Sequence, residues 1–344
     1  MEAKVSAKDV ARYVGVSEAT VSNVINNINK VSDETRKRVL KAIEVLHYQP
    51  DYTARSLARR KSNLLGIMFP ITQDEDDKSL LLKDNPFYAE FLSGIEYEAE
   101  RLDYDVLITG IRPEQSLKDW VSKRNIDGVI FLGITPEIFL KELESFQVPV
   151  VLLDTPEIDG WYHTIGNDEK LAGAMACQHL TNLGHTRIAL ASGPIDTSPV
   201  NYNRYIGYCE ALEKSRIPLD MSLVFEDSVS FDGGCRIGER IFKSVKNITA
   251  VFCVADIMAF GVIKALREHG IKVPEDISII GFDNLKICDY LVPGLTTIDQ
   301  GIFQKGVLAA NVLISDIEGK LNESKRTVIP VKMVERESAA PCKS

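Results

Sequence analysis

Residues 6–46 predict three short helices around one small apolar core, and this pattern constrains the fold more than any other feature of the chain. Ser6 can cap a first helix, with an acidic residue three positions later to complete a capping box. Gly15 suits a tight turn that a Cβ would strain. Ser17 and Ser32 can cap a second and a third helix. The core residues at helical spacing are Val10, Ala11, Val14, Val21, Val24, Ile25, Val39, Leu40, Ile43 and Leu46. The first two helices form a helix-turn-helix.

Charge separates this N-terminal part from the remainder. Residues 1–63 hold twelve Lys and Arg against seven Asp and Glu, whereas the whole chain has a formal net charge of −9. A basic head on an acidic body concentrates the attraction for phosphates in the head. We therefore expect a DNA-binding head, and not a chain that coats nucleic acid along its whole length.

The roughly 280 remaining residues are enough for one large or two medium domains. No run of about 18 apolar residues occurs and the N-terminus has no charged-then-apolar leader, so we expect a cytoplasmic protein with no membrane span. Six scattered cysteines without a C-x-x-C pair suit free thiols in a reducing compartment. The five histidines lack metal-binding spacing, so we expect neither a metal nor a cofactor.

The body alternates short apolar runs with amphipathic stretches. The runs are 64–70, 105–110, 128–133, 149–154, 187–193, 250–256 and 277–283. Strands that are apolar throughout, with helices between them, predict parallel sheets covered on both faces. Two groups of runs predict two doubly wound subdomains. Several runs end in Asp or Gly, at the carboxyl ends where open α/β sheets bind ligands.

Both parts of the chain resemble the LacI/GalR family of bacterial transcription regulators. The head carries SAKDVARYVGVSEATVSNVIN and a later ARSL, and the body carries NPFYAEFLSGIE, HLTNLGHTRIALASG, NRYIGYCEAL, ADIMAFGVIKAL, ISIIGFDN and PGLTTIDQ in the family's order. The resemblance covers nearly the whole chain. It implies an α/β protein with an N-terminal all-α helix-turn-helix headpiece and a hinge helix, followed by two doubly wound parallel-sheet subdomains of the periplasmic-binding-protein type.

The same resemblance implies domain boundaries. These are a headpiece at 1–50, a hinge helix and linker at 51–63, an N-subdomain at 64–163 plus 293–325, a C-subdomain at 164–292 plus 326–338, and a tail at 339–344. Three chain crossings would form a hinge around an effector cleft. The acidic stretch 72–84 is expected to be a solvated insertion near the cleft mouth. No heptad repeat follows Arg336, so the family-implied state is a homodimer and not a coiled-coil tetramer.

By resemblance, the second helix of the head carries the base-reading positions Glu18, Ala19 and Asn23. Asn23 departs from the Arg or His that is frequent there, and an amide pairs bidentately with adenine whereas Arg favours guanine. Glu18 either accepts from a cytosine amino group or points to solvent. The positions expected to contact phosphates and set the register are Ser17, Thr20, Ser22, Asn26 and Arg36.

The hinge segment DYTARSLARR matches the family's minor-groove element at Ala54 and Leu57. Leu57 would enter a central base step as an apolar wedge and kink the duplex. The alternative is that Leu57 only packs against the headpiece. A helix this short is marginal on its own, which suits an order–disorder switch between cleft and DNA.

In the body, the resemblance assigns effector contacts to seven residues. They are Phe87, Tyr88, Asp154, Arg204, Asp256, Asp283 and Gln300. Carboxylates accept protons from hydroxyls and aromatic faces cover C–H patches, so this set suits a sugar or sugar derivative. Each residue alone is equally consistent with a helix cap or a core position.

The sequence therefore predicts a DNA-binding transcription regulator, a repressor that binds a palindromic operator as a dimer and responds to a small sugar effector. One alternative keeps the DNA-binding role with a protein corepressor or a nucleobase as the signal. A remote alternative is a Rossmann-like enzyme with a DNA-binding head. Neither the dinucleotide nor the P-loop glycine pattern is present, and neither is a G-x-S-x-G elbow, so we expect no enzymatic activity.

Overall fold

The computed structural model describes residues 5–25, 31–48, 61–70, 85–112, 115–133, 137–143, 145–155, 162–244, 247–321 and 325–343. The chain divides into two compact units, Met1–Leu64 and Leu65–Ser344. Four sequence predictions lie outside the described residues: the phosphate contact at Asn26, the hinge positions Ala54 and Leu57, and the acidic insertion at 72–84.

The first unit contains three helices, α1 (Ala7–Val14), α2 (Glu18–Ile25) and α3 (Asp33–Val45). Ser6 and Asp9 form the predicted capping box, and Gly15 ends α1 with φ of 76°. The buried core is made by Val10, Ala11, Val14, Val21, Val24, Val39 and Ala42. Leu40 was expected in this core but is 51 % exposed, because it lies on the face of α3 that turns away from α1 and α2.

The second unit contains two six-stranded sheets. The first sheet has the order β2-β1-β3-β4-β5-β11 and its β1–β3, β3–β4, β4–β5 and β5–β11 pairs are parallel. Its strands are β1 (Leu64–Pro70), β2 (Asp105–Ile111), β3 (Gly128–Phe131), β4 (Val150–Leu153), β5 (His163–Asn167) and β11 (Arg326–Ile329).

The second sheet has the order β7-β6-β8-β9-β10-β12. Its strands are β6 (Ile188–Ser192), β7 (Val224–Glu226), β8 (Ala250–Cys253), β9 (Ser278–Asp283), β10 (Thr296–Asp299) and β12 (Lys332–Val334). The described pairs are parallel apart from β10–β12, which is antiparallel. Among the described pairs, this edge strand is the one departure from the parallel pairing that the sequence predicted.

The body helices pack in pairs, α4 with α11, α7 with α8 and α9 with α10. Their bounds are α4 (Pro86–Arg101), α5 (Leu117–Arg124), α6 (Glu137–Leu143), α7 (Glu169–Asn182), α8 (Pro199–Lys214), α9 (Phe231–Ser244), α10 (Asp256–Glu268) and α11 (Ile302–Ile317), with 3-10 turns at Met221–Leu223 and Lys286–Asp289. Glycines allow the helices of a pair to touch. A Cβ at Gly94 of α4 would lie 2.2 Å from the carbonyl oxygen of Phe303 in α11.

The strand assignment changes the expected subdomain boundaries. The boundary placed after residue 163 falls inside β5, which belongs entirely to the first sheet. β10 was placed with the first subdomain but pairs with β9, and β11 was placed with the second but pairs with β5. The chain therefore crosses between sheets after Asn167, at Gln300–Gly301 and between β11 and β12. The strand with which each of these short strands pairs, and not its composition, decides the sheet to which it belongs.

None of the described helices is both long and apolar enough to cross a membrane. All six cysteines are free thiols. Within the described ranges, no group of three or more His, Cys, Asp or Glu side chains could hold a metal ion.

Candidate functional site

The head presents the N-terminal end of α2 to solvent. The Ser17 hydroxyl accepts a hydrogen bond from the Thr20 backbone N–H at 3.1 Å and lies 2.8 Å from the Thr20 hydroxyl. Ser17, Glu18 and Ala19 are exposed, because Val21 and the rest of the apolar stripe of α2 pack inward. This end of α2 therefore offers backbone N–H groups and short polar side chains, which are the groups that contact phosphates at helix N-termini.

The exposure of the predicted base-reading residues also depends on which face of α2 packs inward. Asn23 and Ser22 are half-buried and sit between the buried Val21 and Val24. Arg36 is half-buried in the first turn of α3. The predicted DNA residues that the structure describes therefore lie on α2 and the start of α3. A contact that the sequence did not predict joins the helices, because the Arg38 guanidinium donates to the Val14 carbonyl oxygen at 2.6 Å.

In the body, three of the predicted effector residues form one polar chain at the carboxyl ends of the strands. The Gln300 side-chain amide donates to the Asp283 carboxylate at 2.5 Å. The Lys305 ammonium donates to the Gln300 side-chain oxygen at 2.9 Å and to Asp154 Oδ1 at 2.8 Å. Asp154 follows β4 in the first sheet and Asp283 ends β9 in the second, so this chain joins the two sheets.

The two carboxylates of this chain adopt unusual backbone conformations. Asp154 has φ of 51° and Asp283 has φ of 126°, although neither is glycine. Asp enters the left-handed region near φ of 50° more readily than most residues, whereas φ of 126° lies outside it and is held only when the surrounding structure fixes it; such residues concentrate at functional sites. The geometry therefore marks the ends of β4 and β9 as constrained positions.

Arg204 is buried, and three contacts fix its guanidinium. Its Nε donates to Glu169 Oε2 at 2.7 Å, its NH1 donates to the Val254 carbonyl oxygen at 2.6 Å, and its guanidinium lies 3.5 Å from the centre of the Phe282 ring. Arg204 comes from α8, Glu169 from the first turn of α7, and Phe282 from β9. A guanidinium fixed in this way can present its remaining N–H groups in one orientation only.

Asp256 does not fit the role predicted for it. It is 0 % exposed, and its carboxylate accepts from the Thr297 hydroxyl at 2.6 Å, the Leu285 backbone N–H at 2.9 Å and the Cys288 thiol at 3.1 Å. Both oxygens are thus used by the protein itself. Burial raises the pKa of Asp256, and these hydrogen bonds oppose the rise. Asp256 therefore holds the turn at 285–288, and we do not carry it into the effector site.

Phe87 and Tyr88 lie at the start of α4, where Asn85 caps the helix. They are half-buried and form an edge-to-face aromatic group, with ring centres of Phe87 and Tyr88 5.4 Å apart and those of Phe69 and Tyr88 5.5 Å apart. This group supplies an aromatic wall on the first-sheet half. One turn further along α4, the pKa of Glu90 is raised by burial and by the negative charge of Asp299 and Asp256.

A cavity of about 500 Å³ opens beside Asp154, along β5 and β11 and against the N-termini of α7 and α8. Asn167 and Glu169 line it, and each has a buried side-chain oxygen without a hydrogen-bond partner, Oδ1 and Oε1 respectively.

Asp283 gives a pH-dependent prediction. Burial and the neighbouring Asp256 raise its pKa well above the ordinary value, against the opposing effect of Arg204, Gln300 and Lys305. When the pKa of an acid is raised in the folded state, the protein loses stability as pH rises from the ordinary Asp value of about 4 through the raised value.

Asp283→Asn removes this loss of stability, and the amide oxygen can still accept the hydrogen bond from Gln300. Urea unfolding is expected to show a more stable variant at neutral pH and no difference below about pH 4; a variant less stable at every pH would contradict this.

Three residues of this site were missed by the sequence analysis, namely Glu169, Lys305 and Asn167. A signal for Lys305 was present, because it stands on the same helical stripe as Ile302, Ala309 and other buried residues of α11. A cation on an apolar stripe indicates a buried partner. No comparable signal marked Glu169 or Asn167, whose partners come from distant parts of the chain.

Comparison with known proteins agrees with this architecture. A family model described as "Bacterial regulatory proteins, lacI family" matches residues 6–51, and one described as "Periplasmic binding protein-like domain" matches residues 177–339. The HTH-type transcriptional regulator DegA of Bacillus subtilis (strain 168) is 33 % identical over 349 residues, which cover 98 % of this chain and 99 % of that protein.

Two solved structures are also similar. The lac repressor dimer bound to operator and the anti-inducer ONPF has a TM-score of 0.84 and 25 % identity, over 98 % of this chain and 100 % of that one. A LacI family transcriptional regulator from Enterococcus faecium with bound ribose has a TM-score of 0.70 and 29 % identity, over 81 % of this chain and 100 % of that one.

Proposed function

Since the chain belongs to the LacI family of bacterial regulatory proteins, we propose that it represses transcription by binding a palindromic operator as a dimer, under the control of a small polyhydroxylated effector. The relatives are transcription regulators and not enzymes, which removes the Rossmann-like enzyme from consideration. Regulation of transcription by binding DNA is the function of the family. That this chain represses transcription, that it binds as a dimer and that its effector is a sugar are the proposal.

The observation that carries the effector part is the polar chain from Asp154 through Lys305 and Gln300 to Asp283. It joins the carboxyl ends of two sheets, where α/β folds bind small molecules. Carboxylate and amide oxygens suit hydroxyl donors, and the Phe87–Tyr88 group suits the apolar face of a ring. The similar structure that contains ribose supports a sugar as the class of ligand.

The dimer is supported by an exposed apolar patch on the second sheet's half. Ile287, Tyr290 and Val292 are 41 %, 68 % and 90 % exposed, and they follow one another within six residues. Clustered exposed apolar side chains indicate an interaction surface. A twofold dimer would present two α2 helices, each to one half of a palindrome.

The first experiment tests operator binding. Selection of binding sites from randomised DNA is expected to return a palindrome, with an A·T pair facing Asn23, because an amide pairs with adenine at N7 and N6. Asn23→Arg is expected to shift that pair toward G·C, with about 1–3 kcal/mol of discrimination. Identical sites for both proteins would mean that Asn23 does not read a base.

The selected operator then serves to test the effector. Fluorescence anisotropy of the wild-type complex is measured with a panel of monosaccharides, disaccharides and nucleobases, and thermal unfolding is measured in parallel, because a bound ligand raises the melting temperature. A sugar is expected to change operator affinity. A response to a nucleobase alone would replace the sugar with that alternative signal.

A further inference from the structure

Gln300 occupies the second crossing between the sheets and is held at both its side chain and its backbone. Its side chain bridges Lys305 and Asp283, at 2.9 and 2.5 Å. Its backbone carbonyl oxygen accepts a hydrogen bond from the Asn167 side-chain amide at 3.1 Å. Gln300 itself is 2 % exposed. One residue therefore belongs both to the predicted effector cleft and to the backbone of a crossing.

Asn167 contacts the remaining crossings. It ends β5, directly before the first crossing, and its amide also donates to the Ile329 carbonyl oxygen at 2.9 Å. Ile329 ends β11, directly before the third crossing. The two donated hydrogen bonds of this one buried amide thus join all three connections between the sheets. We call this group, Asn167 with the carbonyls of Gln300 and Ile329, the crossing clasp.

Lys305 fixes the other end of Gln300. Its side chain is 0 % exposed and its ammonium lies between Asp154 Oδ1 and Gln300 Oε1. A buried ion pair contributes little net stability compared with an apolar pair of the same volume. The other buried residues of α11 are apolar or glycine. The charge at this position therefore serves the orientation of its two partners.

We propose that Lys305 and Asn167 are positioning residues that hold Gln300 between them, so that Gln300 transmits changes in the effector cleft to the three crossings. This inference rests on the proposed function for the presence of an effector. Asp154 and Asp283 each use one oxygen in the polar chain. A ligand that binds these carboxylates changes the hydrogen bonds that hold the Gln300 side chain. Gln300 cannot move without straining the hydrogen bonds of the crossing clasp. Coupling between two sites requires such a shared element.

The test uses hydrogen exchange of the full-length chain without any ligand. Asn167→Ala breaks the crossing clasp, and Lys305→Met combined with Asp154→Asn releases Gln300 without leaving an unpaired buried charge. Peptides that cover 163–170, 296–305 and 326–334 are expected to exchange at least about tenfold faster in both variants, because local opening becomes easier. Peptides that cover β6 and β8 are expected to be unchanged. Lys264→Met is the matched control, since it removes the exposed Lys264–Glu268 pair of α10.

Operator affinity of the same variants measures the coupling. Both are expected to change the operator Kd at least about tenfold without ligand, whereas Lys264→Met changes neither Kd nor exchange. A uniform rise of exchange in both sheets, unchanged exchange at the crossings, or faster exchange there with an unchanged Kd would each overturn the inference. If the wild type bound no operator, the proposed function would fail, and the exchange at the three crossings would still decide whether Lys305 and Asn167 hold them.

Discussion

Operator binding by this protein is expected to weaken by about a thousandfold or more when monovalent salt rises from about 50 to about 200 mM. The reason is the basic head, with twelve Lys and Arg against seven Asp and Glu in residues 1–63. Each phosphate that a cation neutralises releases a counterion, and roughly six to ten such contacts produce a loss of this size. Fluorescence anisotropy at a series of salt concentrations gives the slope directly.

The acidic body provides the internal check on this result. The chain as a whole has a net charge of −9, so attraction to DNA must come from the head. Nonspecific DNA is expected to bind more weakly and with a salt dependence of the same sign. An affinity that stays constant across this range would rule out phosphate contacts as the main source of binding.

Arg204→Met is expected to destabilise the body by about 3–5 kcal/mol, because it leaves the Glu169 carboxylate buried without its cation. Both side chains are less than 10 % exposed, so little solvent screening relieves the loss. Replacing both residues, Arg204→Met with Glu169→Gln, is expected to recover most of the stability. Urea unfolding of the single and double variants measures this difference.

An exposed ion pair of the same type is the control. Arg236→Met breaks the Arg236–Asp227 pair, whose arginine is 56 % exposed, and is expected to cost less than about 1 kcal/mol. The double variant at Arg204 and Glu169 is expected to bind operator and to lose its response to effector. If it responded to effector like the wild type, Arg204 would have only a structural role.

The head was largely predictable because its contacts are local in sequence. Capping residues, the turn glycine and the 3.6-residue periodicity act within a few positions of each other, so Ser6, Asp9, Gly15 and Ser32 have the roles that the sequence predicted. The prediction that Leu40 lies in the core was wrong, because periodicity alone does not decide which flank of a helix is covered.

The long apolar strands of the body were predictable for a similar reason. The runs at 64–70 and 277–283 match β1 and β9 to within one residue, because strands buried on both faces are apolar throughout. β5, β7, β10, β11 and β12 were not predicted as strands. They are short or lie at sheet edges, and three of them contain exposed positions, so their composition resembles that of loops.

The sequence by itself determined the kind of protein and the ends of strands at which its polar residues gather. Asp154, Asp283 and Gln300 do converge there, since carboxyl ends of parallel strands meet at one edge. Only the tertiary structure decided which residues they pair with. The Asp256 carboxylate accepts hydrogen bonds from the turn at 285–288. Lys305 and Asn167 each make a hydrogen bond to a residue more than 130 positions away in the chain. Such pairings depend on strand order and on which helix covers which sheet, and neither is encoded in the local pattern of residues.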